Sequence, residues 1–270
     1  MKPELYDNLL DLEQRHWWWR ARRRIFREIL ESLPPPGPKR LLDIGCGAGQ
    51  WLKEIGYGVG IEKSPIARAI CKSRGLDVKP NGFNSHSFEF DVVTAFDVME
   101  HCAFPGDIVS DAYSRLKPGG YSIVTVPAYN WLWTRWDDLN EHKRRYTRHE
   151  LIADLEYQGF NVEFASYFNF YLFPLAVWRK ISGNATAIIP GRFINRLLER
   201  IFQHERHWLA ARRAFPWGSS IIAIVRKALA GMDDHYLVCC RICNKCFSEK
   251  RPLINGEPPE WYCRKHRIKK

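Results

Sequence analysis

The stretch Lys39-Arg40-Leu41-Leu42-Asp43-Ile44-Gly45-Cys46-Gly47-Ala48-Gly49-Gln50 constrains the fold more than any other in the chain. A short apolar run ends in an acid, glycines then alternate with small residues, and a helix-like segment follows. This order predicts a buried parallel strand that turns tightly into a helix. Glycine at alternate positions removes side chains where the backbone must turn sharply and meet a ligand closely. Dinucleotide-binding turns use the same chemistry, but they space their glycines G-x-G-x-x-G and hold a pyrophosphate at the helix N-terminus. Here an acid precedes glycines spaced D-x-G-x-G-x-G, which suits a cationic or hydroxyl-bearing ligand better than a phosphate.

The pattern continues as a doubly wound α/β chain. Gln50 to Ile55 begins a helix, Gly58 to Ile61 reads as a second strand, and Glu62 follows at once. In such a sheet an acid at that point faces the ribose of a nucleoside ligand and can accept from both of its hydroxyls. Pro65 to Gly75 predicts the next helix and Leu76 to Val78 a short third strand. Phe90 to Asp97 is a fourth strand, followed by Val98-Met99-Glu100-His101. Leu116-Lys117-Pro118-Gly119-Gly120 then turns into a fifth strand, Tyr121 to Pro127. Phe160 to Tyr167 and Ser219 to Val225 read as the sixth and seventh strands, an antiparallel hairpin at one edge.

The D-x-G-x-G-x-G turn resembles the first motif of class I S-adenosylmethionine (SAM) methyltransferases, whose glycine turn lies against the methionine part of the cofactor. The wording FDVVTAFDVMEH (residues 90–101) closely resembles the fourth-strand motif of the type-11 members, and the LKPGG turn is typical of the same group. The aromatic and arginine-rich block His16 to Arg24 resembles a segment found at the start of type-23-like methyltransferases of surface-glycan and quinone pathways. The resemblance implies a Rossmann-like α/β fold, a seven-stranded methyltransferase sheet with helices on both faces. It also implies SAM as the cofactor and a small-molecule acceptor. The cofactor-binding positions it implies are Asp43, Gly45, Cys46, Gly47, Gly49, Glu62, Phe96 and Asp97. Family members often carry an acid after the third strand for the adenine amino group; this chain has Asn81-Gly82-Phe83-Asn84, which leaves adenine to the backbone and Phe83.

For an O-methyl acceptor a base that takes the hydroxyl proton assists the reaction. His101 and His142 lie on segments expected at the C-terminal rim of the sheet, where ligands bind in open α/β folds, and are the catalytic candidates. Asp97-x-x-Glu100-His101 also resembles a ligand cluster of quinone-pathway O-methyltransferases that use a divalent ion, with Asp97 in place of a glutamate. The acceptor clamp of amino-methylating enzymes, a polar residue with two prolines and an aromatic, is absent at Asp97-Val98-Met99-Glu100. The expected acceptor is therefore a hydroxyl of a quinone-like, sugar or lipid-linked intermediate. Two other function classes stand beside this one. One is an RNA-directed methyltransferase or nucleic-acid binder using a net charge of +11. The other is a noncatalytic SAM-fold interaction module, for which the Asp43, Gly45, Gly47 and Glu62 constellation would have no use.

Around this domain, expected over residues 39–229, sit a helical cap at 1–33 and a tail at 230–270. Trp17-Trp18-Trp19 puts more indole in a row than one helix face can bury, so some must meet another element or a ligand. With Arg22-Arg23 and the segment Trp131 to Tyr146 they are expected to border the pocket over the methyl group. Residues 168–217 form a helix-prone, aromatic insertion that suits a pocket cap, a membrane surface or packing on the sheet edge. Five of the eight cysteines fall between Cys239 and Cys263. Cys243-x-x-Cys246 and Cys263-x-x-His266 give the ligand types and spacing of one structural zinc. Clustered cysteines and a charged N-terminus without a signal-type apolar region read as a cytoplasmic chain, with peripheral membrane contact through the insertion. The sequence leaves the oligomeric state open.

Overall fold

The computed structural model describes residues 5–80, 90–183, 189–229, 235–239 and 246–250. The expected helical cap consists of two helices, α1 (Leu5–Arg15) and α2 (Trp17–Glu31). The break is at His16, whose extended backbone leaves the helix and whose ring accepts the Trp18 N–H at 3.1 Å, capping α2. Ala21, Ile25, Phe26, Ile29 and Leu30 form the buried stripe of α2.

Alternating strands and helices follow: β1 (Leu41–Ile44), α3 (Gln50–Ile55), β2 (Val59–Ile61), α4 (Pro65–Ser73), β3 (Val78–Lys79) and β4 (Phe90–Phe96). Next come α5 (Pro105–Arg115), β5 (Leu116–Pro127), α6 (Arg135–Leu139), α7 (Arg148–Tyr157) and β6 (Phe160–Phe168). The insertion contributes α8 (Phe173–Ile181), α9 (Arg192–Gln203) and α10 (Glu205–Ala210) before β7 (Ser220–Lys227). A separate hairpin, β8 (His235–Cys239) with β9 (Cys246–Lys250), sets Cys239 opposite Cys246.

The seven strands lie in the order β3-β2-β1-β4-β5-β7-β6, with β7 antiparallel to both neighbours and the other pairs parallel. β5 starts earlier than the motif suggests, because Leu116 pairs with Phe90 ahead of a bulge. Strand order reverses between β1 and β4, and the crevice at such a switch point is where ligands bind in open α/β sheets. The sheet has a core on each side. Ile222 and Ile224 of β7 face a layer containing α2, Trp51, Phe202 and Leu209, while Ile221, Ala223 and Val225 face the layer of α5 and α7. That period of two is what a strand buried on both faces requires. Among the described residues no helix is long and apolar enough to cross a membrane.

The insertion packs mainly on the N-terminal helix: α9 and α10 both lie against α2, with Phe202 and Leu209 fully buried. Its anchor is Glu205, fully buried at the start of α10. The carboxylate accepts the backbone N–H groups of Asn169 at 2.7 Å, Phe170 at 2.7 Å and Tyr171 at 3.2 Å. Replacing it by alanine strands those donors, so Glu205→Ala should lower stability by about 2–5 kcal/mol in urea unfolding. An unchanged midpoint would mean that these N–H groups have other partners.

Candidate active site

The three turn glycines serve different ends. Gly45, Gly47 and Gly49 all have positive φ, at 70°, 54° and 75°. A β-carbon on Gly45 would stand 2.6 Å from Val98, and one on Gly49 2.4 Å from Leu76. Those two are glycine because the fold packs onto them. Gly47 has nothing within 4 Å of that position and opens on a cavity. Space over the middle glycine is what a closely approaching ligand needs.

Glu62, at the end of β2, is largely buried, and it ties the turn to its neighbour. One oxygen accepts the Gly47 N–H at 3.0 Å and the other the Ser64 N–H at 2.8 Å. Each carboxylate oxygen keeps a second lone pair for a ligand hydroxyl. Asp43 faces away from the cavity: its carboxylate accepts from Thr94 Oγ1 at 2.6 Å, and burial pushes its pKa up to about 7. Cys46 is likewise buried, against Cys71. Both support the turn from beneath. Phe83 lies outside the described residues, and so do Cys243, Cys263 and His266. Cys246 is described only as a backbone position of β9.

Phe96 and Asp97 close β4 at the rim, and both line the cavity. The Phe96 ring stacks on Phe26 of α2 at 4.1 Å. Asp97 has φ 55°, a left-handed conformation that aspartate tolerates better than most residues. Its carboxylate pairs with the Arg22 guanidinium and accepts from Thr125 Oγ1 at 3.0 Å. Arg22 also donates to Thr125 at 3.0 Å and lies 4.0 Å from the centre of the Trp18 ring. Burial raises the Asp97 pKa, but Arg22 outweighs it and holds the carboxylate below its usual range.

Below this pair is a histidine cluster. His142 Nδ1 is 2.9 Å from Asp137 Oδ1, and Asp137 is fully buried. Arg145 clamps the same carboxylate from two nitrogens at 2.8 and 2.9 Å, and the Thr134 N–H donates at 2.8 Å. Burial pushes Asp137 up, yet the bonds from His142 and Arg145 prevail and keep it well below the usual carboxylate range. An ionised Asp137 fixes the Nδ1–H form of His142 and leaves Nε2 as the basic nitrogen. The His101 ring meets His142 edge-on at 4.7 Å, and burial, with His142 beside it, lowers His101 to about 4. Glu100 is fully buried with neither carboxylate oxygen hydrogen-bonded, and burial next to Asp97 raises its pKa well above normal.

One ligand atom each from Glu100, His101 and His142 lies within 4.8 Å of the others, a donor set that could hold a metal ion. The set differs from the one the sequence suggests. Asp97 is taken by Arg22, and His142 stands in its place.

A cavity of about 350 Å³ joins these parts, a volume in the range of small-molecule sites. Gly45, Gly47, Asp97, Glu100 and His142 line one side; Trp17, Trp18, Trp19 and Trp136 line another, and Trp19 meets Trp136 edge-on at 6.4 Å. Of the arginines expected there, Arg22 turns to Asp97 while Arg23 turns away to Glu54 at 2.7 Å. A larger cavity of about 540 Å³, walled by Arg20, Arg23, Arg24, Arg27 and Arg206, includes no part of the glycine turn. Ion pairs to Glu54, Glu199 and Glu28 largely compensate its charge. Sequence reasoning missed Asp137 as the partner of His142, and Thr125 as part of the site. The only signal was for Asp137, five residues before His142 in a segment already singled out.

Residues 17–164, more than half of the chain, match the family described as a methyltransferase domain. The chain belongs to this methyltransferase family. Its similarity to curated proteins includes the ubiquinone biosynthesis O-methyltransferase of Nitrosococcus oceani, 30% identical over 96 residues, which cover 30% of this chain and 41% of that protein. The protein of the same description from Thiobacillus denitrificans is 29% identical over 139 residues, 42% of this chain and 59% of its own. The methyltransferase thus spans about half the length of these relatives. Its fold is shared with the SAM-dependent methyltransferase of Thermotoga maritima, with a TM-score of 0.52 at 17% identity, over 83% of this chain and 97% of that one. The corresponding enzyme of Archaeoglobus fulgidus gives 0.50 at 20% identity, over 82% and 99%.

The glycine turn and Glu62 fit the expected cofactor, with open space above Gly47 and free lone pairs on the acid. Glu62→Ala should weaken SAM binding by about 1–3 kcal/mol, the scale of a lost charged hydrogen bond. Unchanged affinity by calorimetry would remove Glu62 from the site. Gly47→Val should abolish binding while circular dichroism shows the fold largely intact.

Proposed function

We propose that this methyltransferase transfers a methyl group from SAM to a hydroxyl of a small-molecule acceptor, a quinone-like, sugar or lipid-linked intermediate. The observation that carries the reading is that His142, held by the buried Asp137, lines the same cavity as the open middle glycine. Bound at the turn, SAM would supply an electrophilic methyl sulfonium. The chain's own residues would do the rest. Ionised Asp137 holds the His142 ring with Nε2 free to take the acceptor hydroxyl proton. Trp18, Trp19 and Trp136 offer faces on which a flat acceptor stacks. Beside His142, burial lowers the His101 pKa and raises that of Glu100, so both groups are biased toward their neutral forms. The names of the ubiquinone biosynthesis O-methyltransferases support an oxygen acceptor.

A screen of cell extract with labelled SAM identifies the acceptor by its mass shift. His142→Ala should then lower kcat by roughly 10²- to 10⁴-fold with SAM affinity retained. Asp137→Asn should lower it with a smaller effect on KM, because the tautomer is lost and the pocket is not. Label appearing in RNA and in no small molecule would overturn the reading.

For the tail we propose one structural zinc held by Cys243, Cys246, Cys263 and His266. The ligand spacing supports it. Freshly purified protein should contain about one zinc per chain, and Cys243→Ser with Cys263→Ser should lose it while SAM binding persists. Metal-free protein by elemental analysis ends the idea.

A further inference from the structure

Helix α9 turns part of its polar side inward. It buries Asn195 and Glu199 beside Phe202. Asn195 accepts the Trp17 N–H at 2.9 Å and donates to the Arg15 carbonyl at 2.7 Å. Glu199 pairs with Arg20 at 3.3 Å and Arg24 at 3.0 Å. Phe193, Ile194 and Leu197 instead face solvent, 81%, 53% and 47% exposed. A surface helix ordinarily faces its apolar stripe to the core. Here the polar contacts to α2 fix the rotation: Leu198, Ile201 and Phe202 reach the core, while Phe193, Ile194 and Leu197 are left outside.

The charge beside those residues is one-sided. Arg192, Arg196 and Arg200 recur at four-residue steps, so they form a row along one side of α9, and all three are exposed. The only acid of α9 is the buried Glu199. Helix α8 also exposes Trp178 and Ile181, with the cation Lys180. Its other side carries Leu175, Ala176 and Arg179 into the active-site cavity, which His16 also lines, next to the residues that Asn195 holds.

We propose that this face docks on an anionic phospholipid bilayer. Helix α9 lies in the interface, with Phe193, Ile194 and Leu197 at the acyl boundary and the arginine row against lipid phosphates. Charge decides for a bilayer over a second copy. A two-fold dimer through this face would set arginine row near arginine row without an acid on either. A phosphate surface neutralises the row along its whole length. Resting on the proposed methyl transfer, one consequence concerns the acceptor: helix α8 exposes Trp178 and Ile181 on one side and lines the cavity with the other, which fits an amphiphile whose apolar tail stays in the bilayer while its hydroxyl-bearing head reaches His142.

The test is co-sedimentation of the full chain with vesicles of phosphatidylcholine alone and of phosphatidylcholine mixed with phosphatidylglycerol. The chain should pellet with the mixed vesicles and much less with the neutral ones. Phe193→Glu with Leu197→Glu should weaken partition about tenfold or more, and Arg196→Glu with Arg200→Glu should do the same on the mixed vesicles. SAM binding by both variants reports that they are folded. Wild-type chain left in the supernatant with mixed vesicles overturns the proposal, as does undiminished pelleting of the Phe193/Leu197 variant. A wild-type dimer that this variant splits, seen by light scattering, would assign the face to a second copy and overturn it too. Neither arm uses methyl transfer, so an enzyme that methylates yet ignores vesicles loses only the docking reading.

Discussion

The guanidinium of Arg22 reaches from the N-terminal helix to Asp97 at the end of β4, with Thr125 of β5 bonded to both. Arg22 is buried, so its charge has left water and must be met within the protein. Asp97 meets it, at the cost of a left-handed backbone, and the Trp18 face covers the cation. This interaction decides where α2 lies. With α2 fixed, Phe26 stacks on Phe96, the tryptophans turn over the rim, and α9 and α10 find the surface on which they pack. The ion pair therefore sets the shape of the cavity more than it sets stability, since a buried pair does little better than apolar packing in energy.

The second consequence is a division of carboxylates. Arginines hold the Asp97 and Asp137 carboxylates below their usual range, whereas the Glu100 carboxylate has no hydrogen-bond partner and is pushed toward its neutral form. Groups of one type thus differ in charge because their neighbours differ. His142 sits where Asp137 can orient it.

Much of the fold could be read from the chain in order, because βα units are made from local contacts with strict geometric demands. Gly45 and Gly49 are glycine because Val98 and Leu76 leave no room, and the alternate spacing announced the turn before any contact was known. The seven strands likewise appear where apolar runs between turn residues put them, with ends shifted by a few residues where pairing continues, as at Leu116 opposite Phe90. The site was legible only in part. Gly47, Phe96, Asp97 and His142 come together in one cavity, but Asp43 and Cys46 face the interior, where they support the turn.

The sequence by itself determined the doubly wound sheet, the glycine turn with Glu62 beside it, and the two histidines at the rim, since each depends on residues close in the chain or on a periodicity of two. Only the tertiary structure decided which of the arginines between Arg20 and Arg24 meets Asp97, that Asp137 takes His142, and that α9 shows Phe193, Ile194 and Leu197 to solvent. Those outcomes rest on partners far away along the chain, Arg22 with Asp97 and Trp17 with Asn195, and on the need of each buried charge or polar group for a partner. A pattern of residue types carries no record of which distant partner wins.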